Sequence, residues 1–210
     1  MDPGNRGDET LLAAGTNISG STFTDTTAAN GTQYFYYVTA LNGAGQSGKS
    51  NEVSATPQAA GTLVDAISAG GPAASPFVAD TDFSGGNVSG GTGATISTNG
   101  VTNPPPQSVL RHGRYGNFTY TIPNLTPGDT YTVRLDFVEY FWNAPGARVF
   151  NVAINGTQVL SNFDIFVAAG GKNILLPESF KATASSTGAI TIKFTSVVDN
   201  AIISGIEIYT

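Results

Sequence analysis

Three consecutive aromatic residues, Tyr140, Phe141 and Trp142, lie between a glutamate and the turn-forming segment 143–146, NAPG. The residues before them, TYTVRLDFV, alternate as a strand does, so the aromatic run is placed where a strand gives way to a loop. Residues 140 and 142 point opposite to residue 141 on an extended chain, so the three rings cannot all be buried equally. The run therefore either packs in the core or offers flat apolar faces to a ligand.

Glu139 precedes this run and brings a carboxylate into an aromatic setting. A buried carboxylate is costly unless it is paired and hydrogen-bonded. We expect Arg114 or Arg148 to be its partner, and we favour this structural pairing over contact with a ligand.

The residues that catalysis or metal binding would need are scarce. Hydrolysis of a glycosidic bond requires two carboxylates roughly 5 to 9.5 Å apart; Asp80 and Asp82 share a face if extended, whereas Asp136 and Glu139 point to opposite sides. His112 is the only histidine and there is no cysteine, which excludes a histidine-based metal cluster or Cys/His catalysis within one chain. Asp80 and Asp82 could bind a structural calcium ion, although an acidic turn without metal is commoner. No other cofactor is expected.

The composition predicts an all-β protein. Only 11% of the 210 residues are charged, and glycine is abundant, which suits short strands and tight turns. The formal net charge of -6 argues against a nucleic-acid partner or an anionic lipid surface. No apolar run approaches the ~18 residues of a membrane span.

The chain divides into two predicted parts joined by a linker at 58–62. In residues 63–210, alternating segments predict a two-sheet sandwich of jelly-roll type without a helix longer than one turn. The predicted strands are 64–68, 109–110, 116–122, 130–141, 148–154, 157–161, 167–169, 173–184, 189–195 and 202–209.

Residues 1–57 are predicted to be a partial sandwich. The segment FTDTTAANGTQYFYYVTALNGAGQSGKSNEVSATP resembles the end of a fibronectin type III domain, with Tyr34 at the position of that family's corner tyrosine. The resemblance covers about residues 8–57, with a first strand at 9–14 and residues 34, 36, 38 and 40 on one face. Because half a sandwich exposes an apolar face and a sheet edge, we expect it to pack on the second domain or to self-associate.

A second resemblance covers residues 63–210. The segments DTDFSGG, RYGNFTYTIPNLTPGDTYTVRLDFVEYFW, RVFNVAINGTQVLSNFDIF and VVDNAIISGIEI together resemble a malectin-type domain. This resemblance implies a non-catalytic carbohydrate-binding module, of a kind often appended to bacterial glycoside hydrolases and therefore secreted or at the cell surface. Its expected partner is an oligo- or polysaccharide.

The resemblance also implies the binding residues. It places the saccharide site at the rings and the aspartate of three motifs, and their neighbours complete the candidate set: Tyr115, Phe141, Trp142, Asp199, Arg114 and Tyr140. The glycine-rich stretch 85–100 is predicted to be a loop bordering the site, without the aromatic that animal malectin carries there. Two other functions remain open, a catalytic domain acting on glycosides and an adhesive or spacer module.

Overall fold

The computed structural model describes residues 25, 27–29, 32–43, 45–55 and 61–210, and the chain divides into two compact units, 1–60 and 61–210. The predicted strand at 9–14 and residues 58–60 of the predicted linker lie outside the described residues. Within the described ranges, no helix is long and apolar enough to cross a lipid bilayer.

The described residues of the first unit form two antiparallel strand pairs. Strand β1 (Tyr34–Tyr36) pairs with β4 (Val53–Ala55), and β2 (Leu41–Asn42) pairs with β3 (Gly45–Gln46). The Tyr34 hydroxyl accepts a hydrogen bond of 2.9 Å from the backbone N–H of Ala29, the contact expected of a corner tyrosine. The predicted common face is shorter than expected, because β1 ends at Tyr36 and Val38 is 66% exposed. The fibronectin type III assignment stays a prediction.

The second unit is a two-sheet sandwich, which confirms the predicted all-β class. The elements are β5 (Leu63–Ser68), β6 (Phe83–Val88), α1 (Gln107–Leu110), β7 (Arg114–Ile122), β8 (Thr130–Val138), β9 (Val149–Ile154), β10 (Thr157–Phe163), α2 (Ile165–Ala169), β11 (Leu175–Thr183), β12 (Ile190–Val198), β13 (Ile202–Ile203) and β14 (Gly205–Tyr209). One sheet has six strands, in the order β10-β9-β12-β7-β13 with β6 also paired to β7, and the other has four, in the order β11-β8-β14-β5.

The main core lies between the two sheets and is rich in aromatic rings. Alternate residues of β7 are buried, as period-two patterning requires. Phe118 of β7 stacks on Phe194 of β12 with centroids 4.5 Å apart, and Phe137 of β8 contacts Phe150 of β9 at 5.8 Å. The connection between β5 and β7 covers the outer face of the four-stranded sheet, where Phe77 is buried.

Two of the predicted strands are short helices. Residues 109–110 belong to α1, which follows Pro106, and residues 167–169 belong to α2. Asp164 caps α2 by accepting a hydrogen bond of 3.2 Å from the N–H of Val167, and Gly170 ends the helix in the left-handed conformation at φ 75°. Apolar runs this short do not separate a helical turn from a strand, so the prediction was wrong at both places.

Other differences from the sequence prediction concern β6, the end of β8 and the segment 202–209. Strand β6 was not predicted, because Gly85 and Gly86 at positive φ interrupt its pattern. Strand β8 ends at Val138 rather than at residue 141. The predicted strand 202–209 is two strands: the chain leaves the six-stranded sheet after Ile203 and enters the four-stranded sheet at Gly205.

Candidate functional site

A cleft of about 420 Å³ opens at one end of the sandwich. It lies where β8 and β12 end and where β7 begins, so both sheets contribute to its walls. Its lining combines rings, polar side chains and a glycine-containing segment: Ser89, Gly90, Gly91, Thr92, Tyr115, Tyr140, Phe141, Trp142, Arg148, Asp199, Asn200 and Ile202.

Glu139 fixes the loop that carries the aromatic residues. Its Oε1 accepts hydrogen bonds from the backbone N–H groups of Phe141 and Trp142, at 2.8 and 2.9 Å. Its Oε2 accepts one of 2.6 Å from Nε of Arg148. Glu139 is only 1% exposed, so the predicted pairing is found with Arg148, and the carboxylate holds the turn from inside the protein.

Arg148 links Glu139 to the cleft wall. Its Nη1 lies 3.4 Å from Oδ2 of Asp199, and the same nitrogen donates to the carbonyl of Asn200. Oδ2 of Asp199 also accepts a hydrogen bond of 2.8 Å from the indole Nε1 of Trp142. Glu139, Arg148, Asp199 and Trp142 therefore close a ring of contacts, which we call the cleft cluster.

The carboxylate of Asp199 is ionised at neutral pH. Burial would raise the pKa of Asp199, but the hydrogen bond from Trp142, the contacts with Asn200 and the charge of Arg148 together lower that pKa below its ordinary value. Its side chain remains 30% exposed. The cleft thus presents a negative charge next to an indole ring.

The aromatic residues differ in how far they enter the solvent. Phe141 is 65% exposed and meets Trp142 edge to face, with centroids 4.8 Å apart and planes at 84°. Its backbone carbonyl accepts a hydrogen bond of 3.0 Å from Nζ of Lys172. Trp142 is half-buried, so its ring is both held and accessible.

Tyr140 and Tyr115 form the inner wall. The hydroxyl groups of Tyr140 and Ser89 lie 2.5 Å apart, and burial raises the pKa of Tyr140. Gly113 makes room for this ring, because a Cβ there would lie 2.8 Å from the Tyr140 hydroxyl oxygen. Tyr115 is half-buried and pairs across the sheet with Ile202.

Arg114, the sixth candidate, lies outside the cleft. It is 3% exposed, its Nη2 donates to Oδ2 of Asp80 at 2.6 Å, and its guanidinium stacks on Phe83 at 3.3 Å from the ring centroid. Adjacent strand residues point to opposite faces, so Arg114 turns away from the side that Tyr115 faces. The structure therefore brings five of the six candidates together and leaves Arg114 out of the lining.

Asp80, one of the two carboxylates predicted to bind calcium, is already paired within the protein. Oδ1 of Asp80 accepts a hydrogen bond of 2.6 Å from Tyr120, and Oδ2 is paired with Arg114. Among the described residues, no three His, Cys, Asp or Glu side chains are grouped in a way that could hold a metal ion. The calcium site stays a prediction.

Some lining residues were not among the sequence candidates. Ser89 and Thr92 belong to the glycine-rich stretch that was predicted to border the site, but that pattern gave no sign of the hydroxyl contact with Tyr140. Asn200 belongs to the Asp-Asn motif, so the sequence could have indicated it. Ile202 reaches the cleft only because β13 pairs with β7, a long-range contact that no local pattern reveals.

Part of this chain is similar in sequence to plant proteins. The chain is 34% identical over 107 residues to kinesin-like protein KIN-14E of Oryza sativa subsp. japonica, an alignment that covers 47% of this chain and 10% of the relative. The chain thus spans about a tenth of the length of that relative.

Solved structures agree on the fold. The ANX2 ectodomain of Arabidopsis thaliana superposes with a TM-score of 0.64 at 18% identity, over 70% of this chain and 49% of that chain. A structure of the plant peptide RALF23 in complex with FER and LLG2 gives a TM-score of 0.62 at 16% identity, over 75% of this chain and 56% of that one.

The second unit also matches the model of a known family. The model of the malectin domain matches residues 63–206, which is most of the chain and all of the cleft. The match begins after the segment that resembles fibronectin type III. The chain belongs to the malectin domain family.

Proposed function

We propose that residues 61–210 form a non-catalytic carbohydrate-binding module. The observation that carries this proposal is the grouping of three solvent-accessible rings, Tyr115, Phe141 and Trp142, with Asp199 and Asn200 in one cleft. A pyranose has an apolar C–H face and a rim of hydroxyl groups, so it needs flat rings beside carboxylate or amide groups. The cleft supplies the rings and, at Asn200, an amide for the hydroxyl rim.

The expected affinity is modest. Covering about 100 Å² of apolar sugar surface contributes roughly 2.5 kcal/mol at ~25 cal/mol per Å². Lost translational freedom and imperfect pairing of hydroxyl groups offset part of that gain. The half-buried Trp142 and the exposed Phe141 must therefore act together, since a single ring would not hold a saccharide.

The carboxylates of the cleft support binding rather than hydrolysis. Among the described residues that line it, Asp199 is the single carboxylate, whereas glycoside hydrolysis requires two. Glu139 is sealed beneath the loop by Arg148 and two backbone N–H groups. A catalytic role would therefore need a second carboxylate from elsewhere.

The wider setting is also a proposal. A module of this kind would be secreted or at the cell surface and would direct an attached enzyme, such as a glycoside hydrolase, to a polysaccharide. The relatives named above are plant proteins, so the bacterial source stays a prediction. Self-association through residues 1–57 stays one too.

A glycan array tests the proposal directly. The 210-residue chain should bind a limited set of glycans, and Trp142→Ala should remove that binding. Phe83→Ala is the matched control, because Phe83 is an exposed aromatic of the same sandwich outside the cleft lining. Both variants should keep the far-ultraviolet circular dichroism of the parent chain.

The outcomes separate the three functions. Binding that is lost in Trp142→Ala and kept in Phe83→Ala supports the module. Turnover of a polysaccharide that vanishes on Asp80→Ala or Glu139→Ala would establish a catalytic domain instead. A chain that binds no glycan, and behaves the same with or without Trp142, would favour the adhesive or spacer role.

A further inference from the structure

We propose that Asp199 and Arg148 are positioning residues: they fix the ring of Trp142 in the cleft, and Asp199 acts on a ligand through that ring rather than by touching it. This inference rests on the proposed carbohydrate-binding function for its consequence. Its structural part concerns Trp142 alone and can be tested without a ligand.

The first step is the acceptor capacity of Asp199. A carboxylate offers about four lone-pair sites to hydrogen-bond donors. The protein itself fills most of them: Oδ2 accepts from Nε1 of Trp142 at 2.8 Å and faces Nη1 of Arg148 at 3.4 Å, and Oδ1 accepts from Nδ2 of Asn200 at 2.9 Å. A saccharide hydroxyl would find this carboxylate largely occupied.

The second step is that Trp142 is held at both of its ends. Its backbone N–H donates to Oε1 of Glu139 at 2.9 Å, and its indole N–H donates to Asp199. Arg148 joins the two carboxylates, with 2.6 Å to Glu139 and 3.4 Å to Asp199. Charge-assisted hydrogen bonds of this kind are stronger than neutral ones, so the orientation of the half-buried ring is fixed before a ligand arrives.

The third step is the benefit of a fixed ring. Ordering a mobile side chain on binding costs free energy, and a ring that is already ordered avoids that cost. The cleft cluster would thus raise affinity without adding a contact to the ligand.

The test without ligand uses the only tryptophan of the chain. Its fluorescence quenching by acrylamide reports directly on Trp142. We expect the quenching constant to rise about twofold in Asp199→Ala, because the indole loses its anchoring acceptor. Asp129→Ala is the control, since Asp129 is an exposed aspartate outside the cleft lining.

A second variant covers the case in which Asp199→Ala alters the fold. Arg148→Lys keeps the charge but cannot reach Glu139 and Asp199 with a planar fork, so quenching should rise there as well. Unchanged quenching and unchanged emission anisotropy in both variants would overturn the positioning role.

A double-mutant cycle then tests the consequence for binding, with maltohexaose and cellohexaose as probes. Trp142→Phe keeps a ring and removes the indole N–H. We expect Asp199→Ala to weaken binding about tenfold in the parent chain and less than about twofold in the Trp142→Phe background, since the two residues act as one unit. Equal losses in both backgrounds would show direct contact of Asp199 with the saccharide and would overturn the proposal.

The two hypotheses fail separately. If the parent chain binds neither probe, that result counts against the proposed function for these glucans, and the quenching comparison still decides the positioning role. If quenching changes as expected and the cycle shows coupling, both stand.

Discussion

One buried cluster of arginine and carboxylate side chains lies at the cleft, and another lies on the four-stranded sheet. The second, which we call the sheet cluster, consists of Arg134, Asp136, Glu207 and Tyr209. Nε of Arg134 lies 3.0 Å from Oδ1 of Asp136 and 3.4 Å from Oε1 of Glu207. The hydroxyl of Tyr209 donates to the other oxygen of Glu207.

The clusters differ in how completely their atoms are paired. In the cleft cluster both oxygens of Glu139 accept hydrogen bonds, two of them from the backbone of the aromatic loop. In the sheet cluster Oδ2 of Asp136, Oε1 of Glu207 and Nη2 of Arg134 are buried without a hydrogen-bond partner. Burial raises the pKa of Asp136 well above its ordinary value; Arg134 opposes this shift and the charge of Glu207 adds to it.

The comparison shows that similar residues can serve different purposes. The cleft cluster holds the loop of Phe141 and Trp142 in one conformation, so it orders side chains that face solvent. The sheet cluster holds two carboxylates against one arginine, and protonation of Asp136 relieves their repulsion. The sheet cluster is therefore expected to make the free energy of unfolding depend on pH rather than to bind a ligand.

The largest effect is expected from Arg148→Met, which leaves the buried Glu139 without its cation. Removing one partner of a buried pair costs about 3 to 5 kcal/mol of unfolding free energy, measurable by urea denaturation at pH 7. Arg134→Met should cost less, because Asp136, whose pKa is raised, can take up a proton in its place. Equal losses in the two variants would break the distinction between the clusters.

Trp142→Ala should come next and should affect binding alone. Because Phe141 shares the roughly 2.5 kcal/mol of apolar contact with the sugar, the dissociation constant should rise by at most about 60-fold. Isothermal titration calorimetry with the best glycan from the array measures this change. The urea midpoint should stay close to that of the parent chain, because the ring is half-buried at a loop. A large drop in stability would instead mean that Trp142 belongs to the core.

A smaller effect concerns pH. Because the folded pKa of Asp136 is raised, the stability from its protonated form is fully present below the ordinary value of 3.8 and is lost as pH rises through the folded value. Asp136→Asn should flatten this dependence in urea denaturation between pH 4 and pH 8. Asp199→Asn should leave it unchanged in that range, because the pKa of Asp199 is lowered and its contribution is lost only at more acid pH.

The smallest effect is expected from Lys172→Ala. Lys172 is exposed and donates a single hydrogen bond to the carbonyl of Phe141. Exposed contacts of this kind are worth within about 0.5 kcal/mol, so affinity should change by less than about 2.5-fold. A larger loss would place Lys172 in the binding surface, which would extend the site beyond the cleft cluster.

Much of the fold could be predicted from the sequence, because the alternation of apolar and polar residues is strong where one face of a strand is buried. Strand β7 shows this, since every second residue from Arg114 to Ile122 is buried. The pairing of Glu139 was predictable from the cost of an unpaired buried carboxylate, and only the choice between two arginines stayed open. The end of β8 was not predictable, because it depends on the Glu139 carboxylate accepting hydrogen bonds from the N–H groups of Phe141 and Trp142 while Arg148 holds its other oxygen.

Part of the candidate site could be predicted from the sequence. The aromatic run and the Asp-Asn motif indicated Phe141, Trp142 and Asp199, which the structure places within one cleft. Arg114 was included because it adjoins Tyr115, and strand geometry sends the two side chains in opposite directions. The role of Ser89 depends on a contact with Tyr140 across 51 residues, which no local pattern encodes.

The change of sheet at Ser204 has a consequence for the speed of folding. Strand β14 lies between β8 and β5, and it pairs Gly205 with Ser68 and Tyr209 with Leu63. The four-stranded layer is thus incomplete until segments about 140 residues apart have met, and such high contact order slows folding into the millisecond to second range. The cleft, whose floor includes Ile202 just before this crossing, should be among the last parts of the molecule to form.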